Sequence, residues 1–203
     1  MNGIVFIETR DLPGLAKKFE DHIKFVPELD PLVICSKQNA YQFKGFKKIL
    51  IKHPENRNEY NLMITNSTFW DKMPFNKVLI CEHESGVLRQ GIKEFYEWDY
   101  VGAPWWFQRH GGNGGFSFRN VKVMGDICRI KRYYLSDGNE DVYFCNVMRN
   151  FNLKLAPQNV CANFSVETVF KLGTFGYHIG SDAKRMLSSD EINKIRCQSM
   201  TQI

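Results

Sequence analysis

The sequence lacks the short motifs that would assign it at once to several large classes of protein. Its six cysteines include no C-x-x-C pair, so there is no sign of a zinc knuckle. No G-x-G-x-x-G follows the first apolar segment and no G-x-x-x-x-G-K-[ST] occurs, which disfavours dinucleotide-type Rossmann binding and P-loop NTPases. No run of five like charges is present, which argues against a nucleic-acid-binding tail.

Long apolar runs are also missing. The N-terminal segment M-N-G-I-V-F-I-E-T-R contains an apolar run far too short for a signal peptide or a membrane span. Most cysteines sit among apolar residues, as in V-I-C-S and L-I-C-E, where a reduced thiol behaves as a small hydrophobe. We therefore expect a cytoplasmic protein that does not span a membrane.

What the sequence does contain is typical of one globular domain. It has 203 residues, of which 43% are hydrophobic and 14% aromatic, enough for a sizeable core. The formal net charge of +5 gives a mild preference for anionic ligands, which include phosphates, nucleotide sugars and nucleic acid. The basic residues are dispersed along the chain, so an RNA-binding protein is the least favoured of these alternatives.

The first half of the chain alternates apolar strand-like segments with helical ones. The predicted strands are residues 4–7, 31–35, 48–51 and 77–81, and the predicted helices are residues 11–26, capped by Asp11, and 66–73. Such alternation is typical of an α/β sheet with right-handed crossovers, in which ligands bind beyond the carboxyl ends of the strands. Two polar segments follow predicted strands directly, namely Glu8-Thr9-Arg10 and Glu82-His83-Glu84-Ser85.

The second half has shorter and more varied segments. The pattern predicts a strand over 100–106 that breaks at Pro104, an alternating strand over 116–119, a helix over 121–132 capped by Asn120, a helix opened by Asn139, short strands or loops over 161–170 and 175–180, and a helix or frayed end from about 187. We therefore expect one domain of mixed elements rather than a repeat.

Acidic residues stand directly after the fourth predicted strand. Glu82 and Glu84 are two positions apart, so on an extended chain both carboxylates point to the same side. Carboxylate oxygens suit Mg²⁺ or Mn²⁺. Two carboxylates at a strand end are also common as plain solvated charges, and the pattern leaves both readings open.

Further candidate residues are ambiguous by themselves. Asp141 shares a helical stripe with Cys145 and Met148, so its carboxylate could act as a general base or simply complement the helix dipole. His178 stands between glycines and could be a ligand or an ordinary histidine. Trp105 and Trp106 could stack on a sugar or a base, or belong to the core.

A cluster of glycines marks the middle of the chain. The stretch H-G-G-N-G-G-F-S-F-R, residues 110–119, has four glycines within five positions. Glycine loses more conformational entropy on folding than any other residue, so the cluster indicates a place that requires bare backbone. A tight hairpin turn needs one or two glycines but hardly four.

Several sequence blocks occur in an order that resembles one family. They are D-Y-V-G-A-P-W at 99–105, G-N-G-G-F-S-F-R at 112–119, E-D-V-Y-F at 140–144, F-S-V-E at 164–167 and G-Y-H at 176–178. The sequence resembles, over roughly residues 4 to 180, an uncharacterised glycosyltransferase-like domain family with D-Y-(I/V)-G-A-P-W, G-N-G-G-F-S-L-R and E-D-V-Y-F blocks. The glycine block is the specific one, and the shared order carries the resemblance.

The resemblance implies a GT-A-type fold, a Rossmann-type mixed sheet flanked by helices in a single domain. That domain would cover residues 1–185, with a nucleotide-binding half at about 1–85, an acceptor half at about 86–185, and a tail at 186–203. Enzymes of this type hold Mn²⁺ or Mg²⁺ at a D-x-D motif, which here falls on Glu82-His83-Glu84. Glu84 matches the acidic position, although the family more often has Asp there, and His178 would be a further ligand.

The remaining site residues follow from the same resemblance. Those near the nucleotide would be Thr9, Arg10, Ser36 and His83, and those at the sugar or the acceptor would be Trp105, Asn113, Gly114, Gly115, Phe116 and Ser117. Asp141, or Glu140, would deprotonate the acceptor hydroxyl of an inverting enzyme.

The implied function is therefore a metal-dependent glycosyltransferase. It would move a sugar from a UDP- or GDP-type donor to a hydroxyl of a glycan, a protein or a small molecule, with no nucleic-acid partner. The alternative is a catalytically silent module of the same fold that binds nucleotide sugars or glycans, and the replacement of Asp by Glu at position 84 motivates it.

Overall fold

The computed structural model of the protein describes residues 1–198 and has a six-stranded sheet at its centre. The strands of this sheet and of a smaller one are β1 (Gly3–Ile7), β2 (Asp30–Cys35), β3 (Lys48–Leu50), β4 (Lys77–Glu82), β5 (Ser85–Val87), β6 (Tyr100–Gly102), β7 (Phe116–Asn120), β8 (Ser165–Val166) and β9 (Gly176–His178). The order in the large sheet is β3-β2-β1-β4-β7-β6. Strand β7 runs in the direction opposite to the other five strands, so the sheet is mixed.

Helices cover both faces of the large sheet. They are α1 (Leu15–Phe25), α2 (Arg57–Ile64), α3 (Ser67–Asp71), α4 (Val121–Ile130), α5 (Glu140–Asn150), α6 (Gln158–Phe164), α7 (Ser181–Met186) and α8 (Ser189–Cys197). Alternate residues of β1 enter different cores: Ile4 and Phe6 pack with α1 and α6, while Val5 and Ile7 pack with α2 to α5. The strands are apolar on both faces because each face is buried under helices. The predicted single-domain α/β fold is therefore confirmed.

The small sheet decides what lies beside the end of β4. Its order is β5-β9-β8, and β5 follows β4 after a two-residue turn. Ser85 is paired with His178, and the N–H of Ile179 donates to the carbonyl of Glu84 over 2.9 Å. These bonds place the end of β9 beside the end of β4, which lies almost a hundred residues earlier in the sequence.

The structure differs from the predicted elements at several places. Helix α1 begins at Leu15 after Gly14, whose φ is +75°, and Asp11 does not cap it but accepts hydrogen bonds from Tyr41 and Gln42. Helix α2 was not predicted, because R-N-E-Y-N-L-M-I has a weak apolar stripe. Part of the segment expected as a strand or loop after 160 belongs to α6.

The C-terminal segment packs on the domain. The predicted boundary at residue 185 falls inside α7, and Ile195 of α8 packs with Val166 and Ile179 of the small-sheet region. The last residues of the predicted tail, 199–203, lie outside the described residues. Within residues 1–198, no helix is both long and apolar enough to span a membrane, and the six cysteines, all in the described part, are free.

Candidate active site

A cleft of about 400 Å³ opens at the carboxyl end of β4. Its walls come from the end of β4, the glycine-rich loop after β6, the first turn of α5, the segment after β8, and α7. The residues that line this cleft include Arg57, Tyr60, Glu82, Glu84, Trp105, Trp106, Phe107, Asn113, Gly115, Glu140, Asp141, Glu167, His178, Asp182, Arg185 and Met186. Most of the polar residues predicted from the sequence therefore share one cavity.

His178 lies between two carboxylates at the centre of the cleft. Its Nδ1 is 3.3 Å from Oε1 of Glu167, and its Nε2 is 3.7 Å from Oε2 of Glu82. Burial alone would lower the pKa of His178, but Glu167 and Glu82 outweigh it and raise the pKa to about 10. The cluster therefore attracts positive charge, which can be a proton or another cation.

Glu82 is held from two sides. The hydroxyl of Tyr60 donates to Oε1 of Glu82 over 2.6 Å, and His178 faces Oε2. Burial would raise the pKa of the Glu82 carboxyl, but His178 and Tyr60 together hold it below its ordinary value. Glu82 is therefore ionised in the cleft at neutral pH.

Glu84 reaches the same cleft but has a different partner. Its Oε1 pairs with Nζ of Lys184 from α7 over 2.6 Å. Its Oε2 and the ring of His178 both lie within about 3.6 Å of the position that a Cβ on Gly180 would occupy. Glu84 and His178 are thus neighbours, as the resemblance implies, but the charge of Glu84 is already matched.

These side chains fit a divalent cation only in part. Within residues 1–198, no group of three or more His, Cys, Asp or Glu side chains is arranged to hold a metal ion. The gap between His178 and Glu82 is too long for a hydrogen bond, and Glu167 faces the other ring nitrogen of His178, as carboxylates do behind metal-bound histidines. Glu82 and His178 therefore suit an ion whose remaining ligands are supplied by phosphates and water.

Asp141 is the buried carboxylate on the opposite wall. Its Oδ2 accepts the N–H of Gly114 over 3.1 Å, and its Oδ1 accepts the N–H of Val142 over 2.8 Å. Burial, with a further contribution from Glu140, raises the pKa of Asp141 to about 7. A carboxylate with this pKa can both accept and release a proton near neutral pH.

Glu140 is committed to a structural ion pair. Both of its carboxylate oxygens accept from Arg119 of β7, over 2.7 and 2.8 Å, and both side chains are almost completely buried. Glu140 is therefore paired with a cation, whereas the hydrogen bonds to Asp141 come from backbone N–H groups. Of the two predicted bases, Asp141 is the one that is not held in an ion pair.

Two of the four glycines, Gly114 and Gly115, lie directly against side chains of the site. A Cβ on Gly114 would lie 2.0 Å from Oε1 of Glu140, and one on Gly115 would lie 2.5 Å from Nε2 of His178 and 2.9 Å from Oε2 of Glu82. Such distances are far below contact, so any side chain here would displace the carboxylates or the imidazole. Bare backbone is thus required by the side chains of the site, whereas the resemblance suggested that a sugar requires it.

Two predicted sugar-binding residues are in the core. Phe116 is fully buried and stacks on Phe164, and Ser117 is fully buried with its hydroxyl donating to the carbonyl of Gly114. Their prediction as sugar contacts is wrong, because β7 lies between β4 and β6 and is covered on both faces. Asn113 does line the cleft, and its Oδ1 accepts the N–H of Gly115 over 2.9 Å.

Three aromatic residues stand at the mouth of the cleft. Trp105 is buried, and Phe107 stacks on it with ring centroids 5.4 Å apart. Trp106 is 69% exposed and Phe107 is 52% exposed. The aromatic surface available to a ligand therefore comes from Trp106, which the sequence indicated as a stacking residue, and from Phe107, which it did not.

A second cleft, of about 360 Å³, continues from the first toward the end of β1. The two clefts share Arg57, Tyr60 and Glu82. Thr9 and Arg10 line the second one. An elongated ligand can therefore extend from the end of β1 to Asp141 past these shared residues.

The residues predicted to bind the nucleotide differ in their exposure and in the partners they already have. Arg10 is mostly exposed, although its guanidinium pairs with Glu8, and Thr9 shares a hydrogen bond with His53. Ser36 is buried and donates to the carbonyl of Thr9 over 2.7 Å, so it fixes the backbone after β1. His83 lies in the turn between β4 and β5, and it is not among the described residues that line the two clefts.

Several residues of the site were not predicted from the sequence. Glu167 lies in the block F-S-V-E, which supports the family resemblance, but no role in the site was predicted for it. Tyr60 and Arg57 belong to α2, a helix that was not predicted, so nothing in the sequence placed them near Glu82. Asp182 and Arg185 belong to α7, which follows β9 in the chain. The pairing of β9 with β5 brings that helix to the cleft.

Comparison with solved structures gives a likeness of fold. The apo-form glycosyltransferase GlyE of Streptococcus pneumoniae TIGR4 superposes with a TM-score of 0.53 at 12% sequence identity. The match covers 89% of this chain and 55% of the GlyE chain, so the protein spans about half the length of GlyE. The architecture is therefore a mixed α/β sheet that resembles a glycosyltransferase fold.

Comparison of the sequence with known families gives a direct assignment. No curated protein matches the chain. The family described as "Protein of unknown function (DUF5672)" matches residues 40–178, which is more than half of the 203 residues. The protein is therefore a member of the DUF5672 family.

Proposed function

We propose that this protein is a metal-dependent glycosyltransferase that moves a sugar from a nucleoside-diphosphate sugar to a hydroxyl group. The observation that carries the proposal is a single cleft that is lined by an ionised Glu82, by His178 and by a buried Asp141. The fold likeness to a glycosyltransferase supports the same activity. A UDP- or GDP-type donor suits the adjoining second cleft, which has room for a nucleoside.

Mn²⁺ or Mg²⁺ would be held by Glu82 and His178, with Glu167 orienting the imidazole. When bound there, a divalent cation would supply Lewis-acid stabilisation of the negative charge on the departing diphosphate. Glu84, which the resemblance put first among the ligands, is better described as a partner of Lys184. Its role would be to hold α7 against the cleft.

Asp141 would be the general base. It would take the proton of the acceptor hydroxyl while the acceptor oxygen bonds to the anomeric carbon and the bond from that carbon to the diphosphate oxygen breaks. In-line attack by the acceptor from the side opposite the diphosphate inverts the configuration at that carbon. The Gly114 N–H would keep the carboxylate oriented during the proton transfer.

The test compares isosteric variants of two neighbouring carboxylates. We expect Glu82→Gln to abolish the Mn²⁺-dependent hydrolysis or transfer of a UDP- or GDP-sugar, because the ionised ligand is lost. Glu84→Gln should retain most of the activity, because its partner is Lys184. The measurement is release of the nucleoside diphosphate from a panel of nucleotide sugars with and without Mn²⁺. Metal-independent turnover, or equal loss in both variants, would contradict the metal assignment.

A second candidate is a catalytically silent module that binds nucleotide sugars or glycans. The observation in its favour is that, within residues 1–198, the protein alone provides no three-ligand metal site. Thermal shifts with the same nucleotide sugars distinguish the two functions. Stabilisation of about 2.7 kcal/mol at a hundredfold excess over Kd, without any turnover, would identify the module.

A further inference from the structure

Exposed apolar side chains and carboxylates line the same cleft. Trp106, Phe107 and Met186 all line it, and their exposed fractions are 69%, 52% and 53%. Glu82 and the buried Asp141 line it as well. A ligand that suits both surfaces needs an apolar face and a set of hydroxyl donors.

The two aromatic rings are held in place rather than loose. Phe107 stacks on the buried Trp105, and the ring of Trp106 stands nearly at right angles to that of Phe107, with centroids 5.6 Å apart. The carbonyl of Trp105 accepts from Gln158 of α6 over 3.2 Å, and the N–H of Asn113 donates to the carbonyl of Ala103 over 2.9 Å. Both ends of the loop are therefore tied to the framework, and the rings form a preorganised surface.

From this surface we infer that the acceptor is a carbohydrate, one sugar ring of which packs its C–H face on the ring of Trp106 and its edge against Phe107. A pyranose presents an apolar face and a rim of hydroxyl groups, so it matches the rings on one side and the carboxylates on the other. The acceptor role rests on the proposed function, whereas saccharide binding at the rings is measurable without it.

The first experiment measures binding by titration calorimetry and by quenching of tryptophan fluorescence. The probes are neutral di- and trisaccharides of glucose, galactose and N-acetylglucosamine. We expect at least one to bind. Trp106→Ala should weaken that binding about tenfold or more, which is about 1.4 kcal/mol or more of binding free energy, because it removes an aromatic contact. Trp106→Tyr should retain part of the affinity. The control is Phe151→Ala, which removes an aromatic side chain of similar exposure at the end of α5, outside the cleft lining.

The outcomes separate this inference from the proposed function. The inference is overturned if no saccharide of the panel binds at millimolar concentration, or if Trp106→Ala binds as the wild type does. Binding to neutral phosphatidylcholine vesicles that disappears in Trp106→Ala would also overturn it, in favour of a membrane surface. Saccharide binding that depends on Trp106, in a protein that neither binds nor turns over nucleotide sugars, would support the sugar site and reject the transferase.

Discussion

At the scale of single residues, the site depends on unequal treatment of similar carboxylates. Glu82 is kept ionised by His178 and Tyr60, whereas Asp141 is buried with two backbone N–H donors and no cationic side chain of its own. Glu140, the neighbour of Asp141, is neutralised by Arg119. Groups with the same chemistry therefore receive different protonation behaviour from their surroundings, which is typical of acid–base sites.

The first prediction concerns Asp141→Asn. We expect it to lower turnover by about 10²- to 10⁴-fold while donor binding is retained, because the amide cannot accept the acceptor proton. The rate of the wild type should fall as the pH drops below about 7, where Asp141 becomes protonated. The measurement is the pH profile of nucleoside-diphosphate release for both proteins.

The same substitution has a consequence for stability with a defined sign. Because folding raises the pKa of Asp141 from 3.8 to about 7, the contribution of this group to stability is fully present below pH 3.8 and is lost as the pH rises to about 7. Asp141→Asn, which cannot ionise, should lack this pH dependence, so the stability of the variant relative to the wild type should rise between pH 4 and pH 8. Urea denaturation that finds the same difference between the two proteins at both pH values would contradict the burial of this charge.

At the scale of secondary-structure elements, one buried ion pair joins β7 to α5. Arg119 donates to both oxygens of Glu140, to Ser117 and to the carbonyl of Gly114, and its guanidinium lies 4.7 Å from the ring centroid of Tyr100. The pair thus fixes the strand, the glycine loop and the first turn of α5, which carries Asp141. The position of the base is decided by contacts between elements.

The second prediction concerns this pair. Arg119→Met should lower the free energy of unfolding by about 3–5 kcal/mol, because it leaves the Glu140 charge buried without a partner. The control is Arg89→Met, which removes a similar two-bond pair with Glu94 at the surface and should cost at most about 1 kcal/mol. Urea unfolding of the two variants checks the difference, and equal losses would mean that burial of the pair has no energetic consequence.

At the scale of the whole molecule, the two clefts meet where the two halves of the chain meet. The second cleft is built from the ends of β1 and β4 and from α2, whereas most of the first comes from segments after residue 100. Arg57, exposed on α2, lines both. A donor with its nucleoside near Thr9 and its sugar near Asp141 would carry its diphosphate past Arg57.

The third prediction follows from that placement. Arg57→Ala should weaken the binding of UDP or GDP about tenfold or more and leave the binding of uridine or guanosine unchanged, because an arginine–phosphate contact is charge-assisted. The control is Arg132→Ala, which removes an exposed arginine beside Tyr134, away from both clefts. Titration calorimetry measures all four ligands. Equal weakening of nucleoside and diphosphate would place the phosphates elsewhere.

Local sequence determined much of the architecture. The apolar runs of β1, β2 and β4 predicted a buried parallel sheet, because a strand covered on both faces has no polar side to show. Asn120 marked the start of α4, and its side chain does cap that helix. These features depend on neighbours within a few residues, so the sequence contains them.

The composition of the site was decided by tertiary structure. Residues 82 and 178 meet because β9 pairs with β5, and the glycines at 114 and 115 are needed because Glu140, His178 and Glu82 occupy the space a Cβ would take. Neither fact depends on local sequence, since each joins groups that are tens of residues apart. The sequence alone determined the buried strands of the large sheet, the cap of α4 and the types of chemical group available. Folding decided which carboxylate is ionised, which is paired with a cation and which can accept a proton, because burial and distance set those properties.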